Sequence, residues 1–194
     1  YFKDHAFGTM TSSNLKKLII AYAPFEGGTK VDIDNWFYGE GLPNAGLPKI
    51  ESAYIRDAED ASLSVNSVSI HAGEDLLRKF NTKQWPYFLR LQKSLPLEKL
   101  KGLEKSYQLS KKNDEVKYNF FALVVRSGAY KDFAQEIDAY LGRVGRIKYI
   151  GPIYEALRDN KQKDIADSLY RKHSSHNNHI TNGSIARKLG IQAY

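Results

Sequence analysis

The residues best suited to recognising another molecule lie in Gly145-Arg146-Ile147-Lys148-Tyr149-Ile150-Gly151-Pro152. Arg146 and Lys148 stand two apart among apolar residues, at the predicted start of a helix. An arginine offers a carboxylate a planar fork of donors, and a lysine beside it adds a point charge. The competing reading is solvated positive charge flanking core positions. Histidines are the next place to look. His173, His176 and His179 follow i, i+3, i+6 spacing, which on one helix face could hold a metal. Ser174, Ser175, Asn177 and Asn178 fill the gaps, so the plainer reading is a polar helix end that binds nickel or zinc only adventitiously. His71-Ala72-Gly73-Glu74 is half a metal motif, and no His-Glu-x-x-His occurs. Gly142-Arg143-Val144-Gly145 has no strand leading into it, so it is not a dinucleotide loop. There is no Gly-x-Ser-x-Gly elbow, and the serines of 62–69 have only His71 nearby. No catalytic residues and no metal ligands are therefore assigned within this chain.

The elements that must carry these residues read as helices. Leu15, Leu18, Ile19 and Tyr22 lie at helical spacing behind Thr11, Ser12 or Ser13, and Pro24 stops that helix. Asp32 or Asp34 caps a short turn with Trp36 and Phe37. Residues 39–48 hold three Gly and two Pro, the best linker in the chain. Over 50–72, Tyr54, Ala58, Ala61 and Val65 predict a helix against a weak strand tendency in Ser62–Ser69. Further stripes follow: Trp85, Phe88 and Leu89; Leu97, Leu100, Leu103 and Tyr107 after Pro96; Val116, Phe120, Leu123 and Val124 behind Asn113, with Asp114 and Glu115 against the helix dipole. Tyr130 to Leu141, Ile147 to Leu157 and Ile165 to Tyr170 come next, and a short helix Ser184–Leu189 ends at Gly190. Helices of 10–17 residues joined by short turns stack as antiparallel hairpins. The predicted fold class is all-α, an α-α superhelix of layered helix pairs like HEAT or armadillo arrays.

Composition agrees with a globular chain of 194 residues, 42% hydrophobic and 26% charged. No apolar run approaches the ~20 residues of a membrane span, and with no Cys there is neither a disulfide nor a thiolate zinc site. Residues 1–75 carry net charge −5 and residues 76–194 carry +12. That contrast suggests two units, or a basic surface facing an acidic partner. Nucleic acid is the weaker choice, because the lysines are scattered over many helices and no nucleic-acid motif is present. The start at Tyr1-Phe2-Lys3, without Met or signal-peptide pattern, reads as a segment of something longer.

Several stretches together resemble the zinc aminopeptidases of the leukotriene A(4) hydrolase type. Val31-Asp32-Ile33-Asp34-Asn35-Trp36-Phe37-Tyr38-Gly39-Glu40-Gly41-Leu42-Pro43 looks like the end of that family's thermolysin-like catalytic domain. Leu95-Pro96-Leu97 with Leu103, Tyr107 and Asn113-Asp114-Glu115-Val116 fits its helical carboxyl-terminal domain. Gly145-Arg146-Ile147-Lys148-Tyr149 with Pro152-Ile153-Tyr154 is the most specific match; Tyr170, His173 and His179-Ile180-Thr181 match more loosely, and 50–72 matches poorly. The resemblance implies that residues 1–46 end the catalytic domain and linker, and that 47–194 form the helical domain. That domain packs on the catalytic domain and closes one side of the substrate cleft. Arg146 and Lys148 match the family's basic pair, which holds the peptide carboxylate. Zinc, its ligands and the general base would belong to the upstream catalytic domain, with no cofactor in this segment. The implied partners are that domain and a peptide, without nucleic acid or membrane, in the cytoplasm or, for some parents, the periplasm. The alternative is a stand-alone α-solenoid binding an acidic protein.

Overall fold

The computed structural model describes residues 3, 6–22, 32–41, 52–67 and 73–192. The chain divides into two compact units, residues 1–51 and 52–194. The expected linker falls largely on 42–50, and the boundary at 46/47 lies outside the described residues, as do His5, His71 and the loop at 26–29.

The first unit holds α1 (Ser12–Tyr22) and α2 (Ile33–Tyr38). Asp32 caps α2 by accepting from the Asn35 amide at 3.0 Å, as its position predicts. Lys16 of α1 pairs with Asp34 and lies 5.5 Å from the centre of the Tyr38 ring. Neither helix buries a residue.

The second unit is all helical among the described residues. Its helices are α3 (Ala53–Ser67), α4 (Glu74–Leu77), α5 (Gln84–Leu91), α6 (Leu97–Tyr107), α7 (Asp114–Arg126), α8 (Ala134–Arg143), α9 (Ile147–Asp159), α10 (Lys163–His173) and α11 (His179–Leu189). Short 3-10 turns at 109–111, 130–133 and 174–176 join some of them. Helix lengths are less even than the sequence predicts: α4 has four residues and α5 eight.

The odd-numbered helices from α3 to α11 pack each on the next in one layer. Side chains fix their direction. Gln84 donates to the Tyr54 carbonyl at 3.3 Å, joining the starts of α3 and α5. Arg126 reaches the Gln92 carbonyl from the end of α7, and Asn160 reaches the Val125 carbonyl at 2.8 Å from the end of α9. Arg158 donates to the Lys188 carbonyl at 2.8 Å, tying the ends of α9 and α11. Starts meet starts and ends meet ends, so these five helices run parallel. The helices between them return the chain, and α10 packs on α8, α9 and α11. This is the expected α-α superhelix. Phe88, Phe120, Phe121, Leu100, Leu103, Tyr154 and Tyr170 are fully buried between the layers.

Three local choices place the basic segment around Arg146. Asn113 caps α7, accepting from the Val116 amide at 3.1 Å. The α8–α9 connection is only three residues, 144–146, and α9 runs through Pro152; the missing proline donor costs one bond to the first turn, which burial of Ile150, Ile153, Tyr154 and Leu157 outweighs. The last helix begins at His179, five residues earlier than predicted, because Asn178 accepts from the Thr181 amide at 2.8 Å.

Candidate functional site

The starts of α7, α9 and α11 lie side by side on one edge of the layer. Arg146 is the cap residue of α9, with an extended backbone (φ −90°, ψ 122°) that turns its side chain out of the helix. It is exposed, and its guanidinium lies 5.4 Å from the centre of the Tyr149 ring. Lys148 lies 5.4 Å from the same ring. The two basic residues thus flank one aromatic, at distances where cation–π attraction holds them.

Their electrostatic situations differ. Lys148 forms an ion pair with Glu115 in the first turn of α7. Tyr149 donates its hydroxyl to the same Glu115 oxygen at 3.1 Å, and its ring packs 5.6 Å from that of Tyr118. The hydrogen bond from Lys148, joined by that from Tyr149, holds the Glu115 carboxyl below its usual range although partial burial opposes it. Its partner Lys148 is raised for the same reason, the bond to Glu115. The adjacent Asp114 binds Arg143 at 2.9 Å, and Arg143 sits over the Tyr140 ring at 5.6 Å. Burial pushes the Tyr140 hydroxyl well above the ordinary phenol value. Along this segment three cations (Arg143, Arg146, Lys148) therefore meet two carboxylates (Asp114, Glu115). Among the described residues Arg146 has no carboxylate partner. It is the uncompensated charge of the cluster, raised on a helix start whose amides also favour an anion.

Gly145 explains how closely this segment approaches the corner before α11. A Cβ there would lie 3.0 Å from the His176 carbonyl oxygen and 3.1 Å from Asn177 Oδ1. The corner is built on Asn182, which donates to the Ser174 carbonyl at 2.9 Å and accepts from Asn177 at 3.0 Å.

The histidines do not converge. His173 ends α10 and is buried, with Nε2 2.9 Å from Asp138 Oδ1. His176 sits on the 3-10 turn and His179 opens α11, both exposed. The i, i+3, i+6 pattern presupposes one helix, and the chain breaks it into three elements. Among the described residues no three His, Asp or Glu side chains are grouped to hold a metal ion, so zinc finds no ligand set there. Arg146 and Lys148 both lie beside the Tyr149 ring. The role of Glu115 and Tyr149 was not foreseen: Glu115 read only as a complement to the helix dipole.

The family model described as leukotriene A4 hydrolase, C-terminal, matches residues 80–189. Leucine aminopeptidase 2 of Ajellomyces capsulatus is 25% identical over 205 residues, covering 97% of this chain and 32% of that protein. Leucine aminopeptidase 2-2 of Meyerozyma guilliermondii is 25% identical over 214 residues, 100% of this chain and 33% of that protein. The protein of the same name from Scheffersomyces stipitis is 23% identical over 215 residues, 98% and 33%. The chain spans about a third of the length of these relatives. No described helix is long and apolar enough to cross a membrane.

Proposed function

Since the chain belongs to the leukotriene A4 hydrolase C-terminal family, we propose that it is the helical domain of a zinc aminopeptidase and recognises the free carboxyl end of the peptide substrate. We assign residues 47–194 to this domain and residues 1–46 to the end of the catalytic domain. The observation that carries the reading is the uncompensated Arg146, fixed at the start of α9 while its neighbours Arg143 and Lys148 are neutralised by Asp114 and Glu115. Such a guanidinium accepts a carboxylate in two parallel hydrogen bonds. Lys148, spent on Glu115, contributes mainly by keeping that carboxylate from competing. Holding the far end of a short peptide fixes how deep its amino end reaches, and that end is then presented to the catalytic part of the protein. In this reading the metal chemistry belongs to that part, as the family implies. The parent is expected to be cytoplasmic.

The test is steady-state kinetics of the parent-length protein on a tripeptide with a free carboxyl end and on its amide. A charge-assisted fork is worth about 1.5–3 kcal/mol, so Arg146→Ala should lower kcat/KM for the free peptide roughly 10- to 100-fold and spare the amide. Arg146→Lys should recover only part, since charge returns without the fork. Equal losses on both peptides would make Arg146 a structural residue and overturn the reading.

A further inference from the structure

A shallow hollow of about 460 Å³ lies directly beside Arg146, between the start of α9 and the corner that leads into α11. Arg146 forms one rim, and Ile147, His176, Asn178, Ile180 and Thr181 complete the lining with Gly145. We propose that this hollow receives the side chain of the peptide's last residue and gives the enzyme a preference for an aliphatic one; this rests on Arg146 taking the carboxylate.

Three observations support it. The first is reach. In a terminal residue the carboxylate and the side chain hang from the same Cα. With the carboxylate in hydrogen bonds of roughly 2.8 Å to the guanidinium, that Cα stands at the rim, and its side chain extends over the adjoining hollow. The second is character. Ile180 is 69% exposed in the first turn of α11, after a stretch of Ser, His and Asn residues, and it lines the hollow together with Ile147, which is half-buried against the core. A lone exposed aliphatic is ordinary. Two of them lining one hollow, with an uncompensated cation at the rim and no carboxylate among the described lining residues, match an aliphatic group that carries a negative charge beside it. The third is preorganisation. The wall bearing Ile180 is held by the cap from Asn178 to Thr181, by the two bonds of Asn182 to Ser174 and Asn177, and by Tyr170, whose hydroxyl donates to the Asn182 carbonyl at 3.2 Å. A wall fixed by buried hydrogen bonds keeps its shape without ligand, so binding does not have to order it.

The experiment compares the parent-length protein with its Ile180→Ser variant on four matched tripeptides, ending in Leu or Gly, each as free acid and as amide. Ile180 is on the surface, so the substitution leaves the fold intact. The unsubstituted protein should prefer free Leu over free Gly, and Ile180→Ser should reduce that preference roughly three- to tenfold, as expected for losing part of an aliphatic contact in an open pocket. It should leave the preference for free over amidated ends in place. A Leu-to-Gly ratio unchanged in Ile180→Ser, with the free-over-amide preference still present, overturns the subsite alone. Absent turnover, or equal turnover of free and amidated peptides by the unsubstituted protein, overturns the role of Arg146 and the subsite with it.

Discussion

If Lys148 acts by neutralising Glu115, removing both should do less harm than removing Lys148 alone. The perturbation is Lys148→Ala, with and without Glu115→Gln. In the structure the Glu115 oxygen accepts from Lys148 and from Tyr149 at 3.1 Å, and the charge of Arg146 already helps to hold its carboxyl low. Without Lys148 that carboxylate keeps one neutral donor and turns its charge on Arg146 and on any carboxylate Arg146 holds. For unit charges on the order of 6 Å apart, Coulomb's law gives about 0.7 kcal/mol in water and about 3 kcal/mol at an effective dielectric constant of ~20. The side chains of Lys148 and Glu115 are 49% and 36% exposed, which puts the pair near the aqueous limit. About 1 kcal/mol is the reasonable figure, a loss of roughly fivefold in kcat/KM.

The assay is again the matched free and amidated tripeptide. Lys148→Ala should lose roughly fivefold on the free acid and nothing on the amide, and the loss should shrink at high salt as exposed charges are screened. Adding Glu115→Gln should restore most of it, whereas Glu115→Gln should not rescue Arg146→Ala, because the fork itself is then missing. A double variant no better than Lys148→Ala alone would mean that Lys148 touches the substrate directly, and the division of labour argued above would be wrong.

Two further outcomes concern stability of the chain itself. The Asp138 carboxyl is held below its usual value by hydrogen bonds, first from Lys172 and then from His173. A carboxyl lowered in the folded state stabilises at neutral pH, and that contribution is lost as pH falls below the ordinary value near ~3.9 and through the lower folded one. The urea midpoint should therefore drop between pH 7 and pH 3 by less in Asp138→Asn than in the unsubstituted chain, and an equal drop would deny the site a part in acid sensitivity. Tyr154 is fully buried and its hydroxyl has no hydrogen-bond partner among the described groups, so Tyr154→Phe should stabilise by about 1 kcal/mol, within the range for removing an unsatisfied buried group; a clear loss of stability by urea unfolding would show that the hydroxyl is satisfied in solution.

What the sequence disclosed depended on the range of the interaction. Helical periodicity is local, and it placed the stripes of α6, α8, α9 and α10 because each buries one face against the same core, while α7 is buried nearly all round. Short turns between helices gave the superhelix, residue type and spacing singled out Arg146 and Lys148, and the family resemblance added the role expected of that pair. The one misplaced boundary, the late start of the final helix, and the discarded alternative of a single face for the three histidines fall in the same stretch. There Ser174, Asn177, Asn178 and Asn182 bind backbone and one another, and such side chains compete with helix hydrogen bonds. A periodicity argument has no term for that competition. Glu115 was missed for a different reason. Its partner Lys148 lies 33 residues away, about one helix pair along the superhelix, and only stacking of α7 on α9 brings them together.

That spacing explains why the basic segment sits where it does. An acidic first turn is favourable at the start of any helix, so Asp114 and Glu115 would stabilise α7 in isolation. In a parallel layer the start of α7 also faces the α8–α9 connection, and the same two carboxylates bind Arg143 and Lys148 on either side of Arg146. Each of these exposed ion pairs is weak alone. Together they fix both ends of a short connection, so Arg146 between them is held in place without being neutralised. A third carboxylate would quench it, and one fewer would leave a second free cation to misplace the ligand. In the proposed reading, selectivity for a single carboxylate therefore rests on an imbalance of one charge, held in register by the packing of α7 on α9.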